Sequence, residues 1–237
     1  RVPCFTFDSM ISSTSPSISE ICKNAVGLAG NIFAFGLFVS PIPTFRRIIR
    51  NRSTEQFSGL PYVYALFNCL ICLWYGTPLV SLDNIMITSV NSVGAVFQLV
   101  YLVLFMSYAD KPKKLRTLRS VLIVIALFAV IIVGSLYIVD RSMRQMFVGL
   151  LSVVSLVSMF ASPLFIIRLV MRMRSVEFMP FYLSLSTFLM STSFFMYGIL
   201  NYDAFVSVPN AIGTCLGIVQ LGLYCYYVNL NIRRGLK

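Results

Sequence analysis

The sequence predicts an all-α membrane protein in which seven transmembrane helices form two parallel three-helix bundles joined by a linker helix. Composition, the spacing of apolar runs and an internal repeat carry that prediction. Of the 237 residues, 58% are hydrophobic and only 11% are charged, against about 25% charged in an average soluble domain. Mean hydropathy is +0.84. Apolar runs approaching the ~20 residues needed to cross a bilayer fall at about 25–45, 61–80, 85–107, 118–139, 146–169, 181–200 and 205–230. The connections between them are short, which leaves no room for an extramembrane domain.

Net charge is +11 with no histidine. In a soluble chain that balance would suggest nucleic acid; in a membrane chain the excess marks cytosolic loops. Arg46, Arg47, Arg50 and Arg52 follow the first span. Lys111, Lys113, Lys114, Arg116 and Arg119 precede the fourth, Arg168, Arg172 and Arg174 follow the fifth, and Arg233, Arg234 and Lys237 end the chain. Fifteen of the nineteen basic residues therefore lie on one side. The expectation is an extracellular or lumenal N-terminus, a cytosolic C-terminus and no nucleic-acid partner. The first twenty residues are Ser-rich and lack the apolar core of a signal peptide. The chain opens on Arg1, as expected of a trimmed start. Cys69 and Cys72 form a CxxC, but without histidine or a second pair it does not make a metal or redox site. No cofactor is expected, and no disulfide.

A shift of 122 residues superimposes Ser40 on Ser162, Pro41 on Pro163, Arg46 on Arg168, Arg50 on Arg172, Arg52 on Arg174, Ser53 on Ser175 and Glu55 on Glu177. Tyr75-Gly76 meets Tyr197-Gly198 at the same shift. A three-residue slip then pairs Pro61 with Pro180, Asn91 with Asn210 and Gly94 with Gly213. Three spans end on the side opposite their start, so two units running in the same direction need one extra crossing. The near-featureless fourth span supplies it. The expected organisation is an N-terminal tail at 1–24, a first repeat at 25–108, a linker region with the fourth span at 109–145, a second repeat at 146–230 and a truncated cytosolic tail at 231–237. Parallel repeats related by an axis along the membrane normal are a transporter plan, with the substrate at the repeat interface near mid-membrane.

Asn91 and Asn210 are the most informative polar residues within spans, and each has a glycine three positions on. A primary amide offers donors and acceptors suited to vicinal hydroxyls. A lone intramembrane Asn reads equally well as glue between helices, and it is the matched placement in both halves that favours ligand contact. All eight acidic residues fall in loops or tails. A proton-coupled carrier needs a titratable group within the membrane, so a neutral substrate moving down its gradient fits best. No nucleophile–base pair or phosphate loop is present, which argues against an enzyme. Pro41 and Pro163 lie inside their spans and should kink them, whereas Pro61 and Pro180 sit at helix starts, an ordinary place for proline. Together the four form a ring at one depth, as a hinge or gate would.

SPIPTFRRIIRNRSTEQFSGLPYVYALFNCLICLWYG, ITSVNSVGA, SPLFIIRLVMRMRSVEFMPFYLSLS and VPNAIG resemble the plant SWEET (MtN3/saliva) sugar transporters over about residues 25–230, most closely the hexose-type members. That resemblance implies uncoupled, bidirectional sugar transport by alternating access. It also implies a glucose-like hexose as the partner and homo-oligomers, a trimer among them, in the plasma or vacuolar membrane. It carries over Asn91 and Asn210 as sugar contacts, Pro41, Pro61, Pro163 and Pro180 as the proline tetrad, and Cys72 and Phe194 as pocket walls, with Asn68 one turn before the first. Phe194 stands where relatives often carry Trp, so an aromatic face is kept and the indole N–H is lost.

Two other readings deserve weighing. A seven-span receptor coupled to G proteins is disfavoured by the repeat, the short loops and the lack of a DRY-like triplet. A proton-coupled PQ-loop-type carrier of an amino acid or other metabolite is the closer alternative, but the chain has neither a Pro-Gln pair nor an intramembrane carboxylate.

Overall fold

The structure, a computed structural model, describes residues 18–173 and 179–233. Arg174, Ser175 and Glu177 of the repeated phrase, most of the N-terminal tail and the last residues of the C-terminal tail lie outside the described residues. Among those described, nine helical segments make seven spans: α1 (Ile18–Val39) and α2 (Ile42–Asn51) form the first, α3 (Leu60–Tyr75) the second, α4 (Ile85–Tyr108) the third and α5 (Lys111–Tyr137) the fourth. The fifth comprises α6 (Arg141–Met159) and α7 (Ala161–Met173), followed by α8 (Phe181–Leu200) and α9 (Ala204–Arg233).

Proline chemistry divides the first and fifth spans. Pro41 has no N–H for the Leu37 carbonyl. Ser40 takes that acceptor over with its own N–H at 3.2 Å and its hydroxyl at 2.7 Å. The helix is interrupted at Ser40 and Pro41, and α2 continues the span from Pro41, which keeps helical dihedrals (φ −75°, ψ −11°). In the second half the break falls at Phe160, three residues before Pro163, where the proline ring crowds the carbonyl of the fourth residue back. Pro61 occupies the first turn of α3 and Pro180 caps α8, both at helix starts as expected.

Other boundaries moved. The first span begins at Ile18 rather than near 25, and the fourth at Lys111 rather than near 118. The basic run from Lys111 to Arg119 is therefore helix, not loop: Pro112 suits a first turn, and 27 residues make a rod of about 40 Å, long enough to extend beyond a ~30 Å apolar core. Lys113 Nζ donates to the Glu55 carbonyl, tying this helix to the loop after α2. From α2, Arg47 donates to Glu55 of that loop at 3.0 and 2.5 Å, and Asn51 adds a third bond at 2.6 Å. The hydrogen bond from Arg47, then that from Asn51, holds the Glu55 carboxyl below the usual carboxylate range. This side of the bundle is called the basic end below, and the other the far end.

Packing follows the repeat. In each half the first span meets the third and the second meets the third: α1 with α4 and α3 with α4, then α6 with α9 and α8 with α9. Across halves α1 packs on α8 and α3 on α6, which are equivalent crossings. One core cluster joins Ala34 of α1, Tyr75 of α3 and Ile87 of α4 to Val148 of α6, Phe194 of α8 and Val206 of α9. The linker α5 lies against α3, with Val124 among Val63, Leu66 and Leu102, and Trp74 Nε1 donates to Ser135 Oγ at 3.0 Å. Its remaining faces, including Leu122, Ile125 and Val130, are exposed, as a lipid-facing helix requires.

Small residues set the close approaches. A Cβ on Gly76 would meet Thr88 N at 2.9 Å, and one on Gly198 would meet Ser207 N at 2.6 Å; Thr88 and Ser207 are equivalent under the 119-residue shift. The repeated Tyr-Gly pair is the elbow at which the second span lets the third return against its backbone. Gly94 and Gly213 admit Cys69 with Phe38, and Ser191 with Phe160. They allow helices, rather than a ligand, to approach. Gly198→Ala should cost about 1–3 kcal/mol through overpacking, read as a lower melting temperature in detergent. Gly134→Ala, with nothing within 4 Å of the added carbon, should hold or raise it.

Candidate functional site

A cavity of about 300 Å³ lies between the halves, at the small end of the range for ligand sites. All six repeat helices line it and α5 does not. Equivalent positions face it in pairs: Leu37 with Met159, Asn68 with Met190, Cys72 with Phe194, Ile87 with Val206, and Asn91 with Asn210. The fold thus brings Asn68, Cys72, Asn91, Phe194 and Asn210 to one space. The four prolines do not line it; Pro61 and Pro180 are exposed at the basic end, and Pro41 and Pro163 are half-buried.

The two central asparagines are held alike. Asn91 Nδ2 donates to the Ile87 carbonyl and Asn210 Nδ2 to the Val206 carbonyl, each at 2.8 Å. One N–H of each amide is therefore anchored to the preceding turn of its own helix. Among the described residues no group donates to either Oδ1, so an acceptor and a donor from each half remain for an occupant. Cys72 Sγ lies 3.8 Å from Asn68 Oδ1, one turn back on the same helix. Phe194 is buried, edge-on to Tyr197 at 6.4 Å, and packs on Gly30, where a Cβ would come within 2.9 Å of its ring. Its ring is thus an aromatic wall of the cavity set by a backbone neighbour. Among the described lining residues none is Asp, Glu, Lys or Arg.

The far end is closed by a network the sequence reading missed. Asp203 is a loop residue, as expected, yet it is only 6% exposed. It caps α9, accepting from Phe205 N at 3.0 Å and Val206 N at 3.3 Å. From the other half, the Tyr75 hydroxyl donates to its two oxygens at 2.8 and 2.7 Å, and Asn84 Nδ2 donates at 2.7 Å. Asn201 Nδ2 reaches back to Asn84 Oδ1 at 2.8 Å, and the Tyr197 hydroxyl donates to the Asp83 carbonyl at 2.8 Å. The signals were present: Tyr75 and Tyr197 recur at the repeat shift, and Asp203 stands in the N-cap position before an apolar run. At the basic end, among the described residues, Tyr64 meets Ser155 and Ser158 across the halves, the latter contact being exposed.

Two equivalent helix triplets enclosing an uncharged, amide-lined cavity, sealed at one end by contacts between halves, define a membrane carrier for a small solute. The family model described as "Sugar efflux transporter for intercellular exchange" matches residues 24–113 and again 146–231, and the chain belongs to this family, the SWEET (MtN3/saliva) transporters. It is 65% identical to the bidirectional sugar transporter SWEET2 of Arabidopsis thaliana over 218 residues, covering 92% of each chain. It is 55% identical to SWEET2a of Oryza sativa subsp. japonica, over 91% of this chain and 88% of that one. The solved structure of a eukaryotic SWEET transporter superimposes with a TM-score of 0.88 at 51% identity, over 90% of this chain and all of that one.

Tyr75→Phe removes the hydroxyl that donates to Asp203 across the halves. A hydrogen bond to a charged group is worth about 1.5–3 kcal/mol, so far-end opening should become about ten-fold or more frequent. The measurement is labelling of Cys72 by a membrane-impermeant thiol reagent, mapped by peptide mass spectrometry. Unchanged labelling would show that closure does not depend on this bond.

Proposed function

We propose that the chain is a facilitative sugar uniporter, moving a glucose-like hexose in either direction by alternating access. The observation that carries this reading is a cavity shared by equivalent positions of both halves, in which the carboxamides of Asn68, Asn91, Gln98 and Asn210 stand among apolar side chains without a charged one. A neutral polyhydroxyl solute matches such walls: amides for its hydroxyls and Phe194 for the apolar face of its ring. Asn91 and Asn210 are the central sugar contacts, with Asn68, Cys72 and Phe194 completing the pocket. The bidirectional sugar transporters among its relatives support the substrate class, and nothing in the cavity supports the proton-coupled alternative.

Two half-units, 25–108 and 146–230, move against each other with α5 as connector. The helix breaks at Pro41 and Phe160 supply flexible points in equivalent spans, and Pro61 and Pro180 stand at the ends of the helices beside them. The basic end faces the cytosol by the distribution of Lys and Arg, in a plasma or vacuolar membrane, with assembly into a homo-oligomer such as a trimer.

Uptake of radiolabelled glucose into liposomes, with and without a pH gradient, tests the reading. Equal uptake in both is expected, and concentration of sugar by the proton gradient would overturn uniport. Asn91→Ala and Asn210→Ala should each lower uptake at least ten-fold while the protein keeps its melting temperature. Wild-type rates in either would reduce that side chain to packing. Pro41→Ala should slow transport more than it weakens equilibrium binding of glucose. Equal losses would count against a hinge there.

A further inference from the structure

The cavity contains one polar group that neither the repeat nor the Asn pair explains. Gln98 of α4 is 7% exposed, lines the cavity, and its Oε1 has no hydrogen-bond partner among the described residues. It lies seven residues beyond Asn91, two turns along the same helix face and about 10 Å closer to the basic end. The cavity walls nearest that end are Leu37, Phe38, Ala65, Leu156 and Met159, none of which has a side-chain donor to offer. The Gln98 carbonyl thus receives no hydrogen bond from the described residues, a costly position for a polar group unless an occupant supplies one. Groups of this kind persist where a function needs them.

The second half offers no counterpart. The position equivalent to Gln98 is Gly217, where an added Cβ would come within 2.8 Å of Phe188 Cβ. There α9 lies flush against α8, and the position equivalent to Gln98 carries no side chain into the cavity.

We infer that Gln98 is a further sugar-contacting residue, its carboxamide hydrogen-bonding one hydroxyl of the sugar that Asn91 and Asn210 hold. The cavity is small enough that an occupant filling it meets both levels. Contact from one half only also fixes which end of the sugar points to the basic end, because a single hydroxyl must meet Gln98 while the others meet the asparagines. This inference rests on the sugar-carrier reading above and adds to it a residue that sets specificity.

The test is a cycle between one substitution and a series of ligands. Binding of glucose and of its monodeoxy analogues is measured on the purified full chain in nanodiscs, for wild type and Gln98→Met. Met keeps the unbranched length and removes the carboxamide. Glucose should bind Gln98→Met about 5- to 10-fold more weakly, the effect of one unmade neutral hydrogen bond. For a single analogue, the one lacking the contacting hydroxyl, the two proteins should bind alike. The sugar-free variant should melt no lower than wild type, since an orphaned carbonyl has gone. Wild-type glucose affinity in the variant overturns the inference, as does a loss shared equally by every analogue. A lower melting temperature would make Gln98 a structural residue and reject it as well. If Gln98→Met fails to fold, Gln98→Leu carries the same comparison. Absence of glucose or analogue binding by the wild-type chain would instead sink the sugar reading and this inference with it.

Discussion

Asp203 is a carboxylate withdrawn from bulk water, and the far end of the molecule is arranged around its need for donors. An ionised group in a poorly solvated position is tolerated only when hydrogen bonds replace its hydration. The backbone of α9 supplies two of them locally. The rest come from Tyr75 and Asn84 in the other half. A requirement for charge solvation thereby becomes a requirement that the two halves meet, and meet in one register. The Tyr-Gly elbow adjoins this network: Gly76, next to Tyr75, has no side chain to hold Thr88 and Asn84 of the return away, and Asn84 is one of the donors.

The halves share a backbone plan and divide the chemistry unequally. Equivalent glycines make equivalent close contacts, and Asn91 and Asn210 donate to their own helices with the same geometry. Elsewhere equivalent positions have diverged: Asn68 faces Met190, Cys72 faces Phe194, and Asn84 corresponds to Asp203. Symmetry at the packing level keeps the two bundles compatible as rigid bodies. Asymmetry at the lining positions puts three carboxamides, Asn68, Asn91 and Gln98, on α3 and α4 and one, Asn210, on α9, with Phe194 on α8.

Much of this was legible in the sequence because a lipid solvent restricts what a chain can do. Backbone groups must be satisfied within each span, so apolar run length located the seven crossings, and the 122-residue echo grouped them. The misplaced boundaries have physical causes. A hydropathy run ends where the apolar residues end, whereas a helix ends where its hydrogen bonds end; the stretch from Lys111 to Arg119 is polar and helical at once. Pro41 announced a disturbance of the helix, and the neighbouring Ser40 satisfies the Leu37 carbonyl that the proline leaves free. Asp203 was counted as an ordinary loop acid because burial at a helix cap depends on residues more than a hundred positions away. Gln98 shares a helix face with Asn91 at a seven-residue spacing, and that periodicity was the available signal.

The placement of charge also bears on how such a carrier can cycle. Opening the far end separates Tyr75 and Asn84 from Asp203, which would be prohibitive if the carboxylate stayed in apolar surroundings. It does not, because the network sits at the end of the bundle, where separation of the helices admits water to the same oxygens as the protein donors leave. The exchange is one set of hydrogen bonds for another, so closed and open forms can lie within a few kcal/mol of each other, the range in which both are populated. A carboxylate at the level of Asn91 and Asn210 would have no such replacement and would need a counter-ion or a proton on each cycle. Keeping ionised groups out of the cavity and at its closure therefore serves two ends: it leaves the site neutral for an uncharged solute, and it lets the closure reopen without a coupled ion.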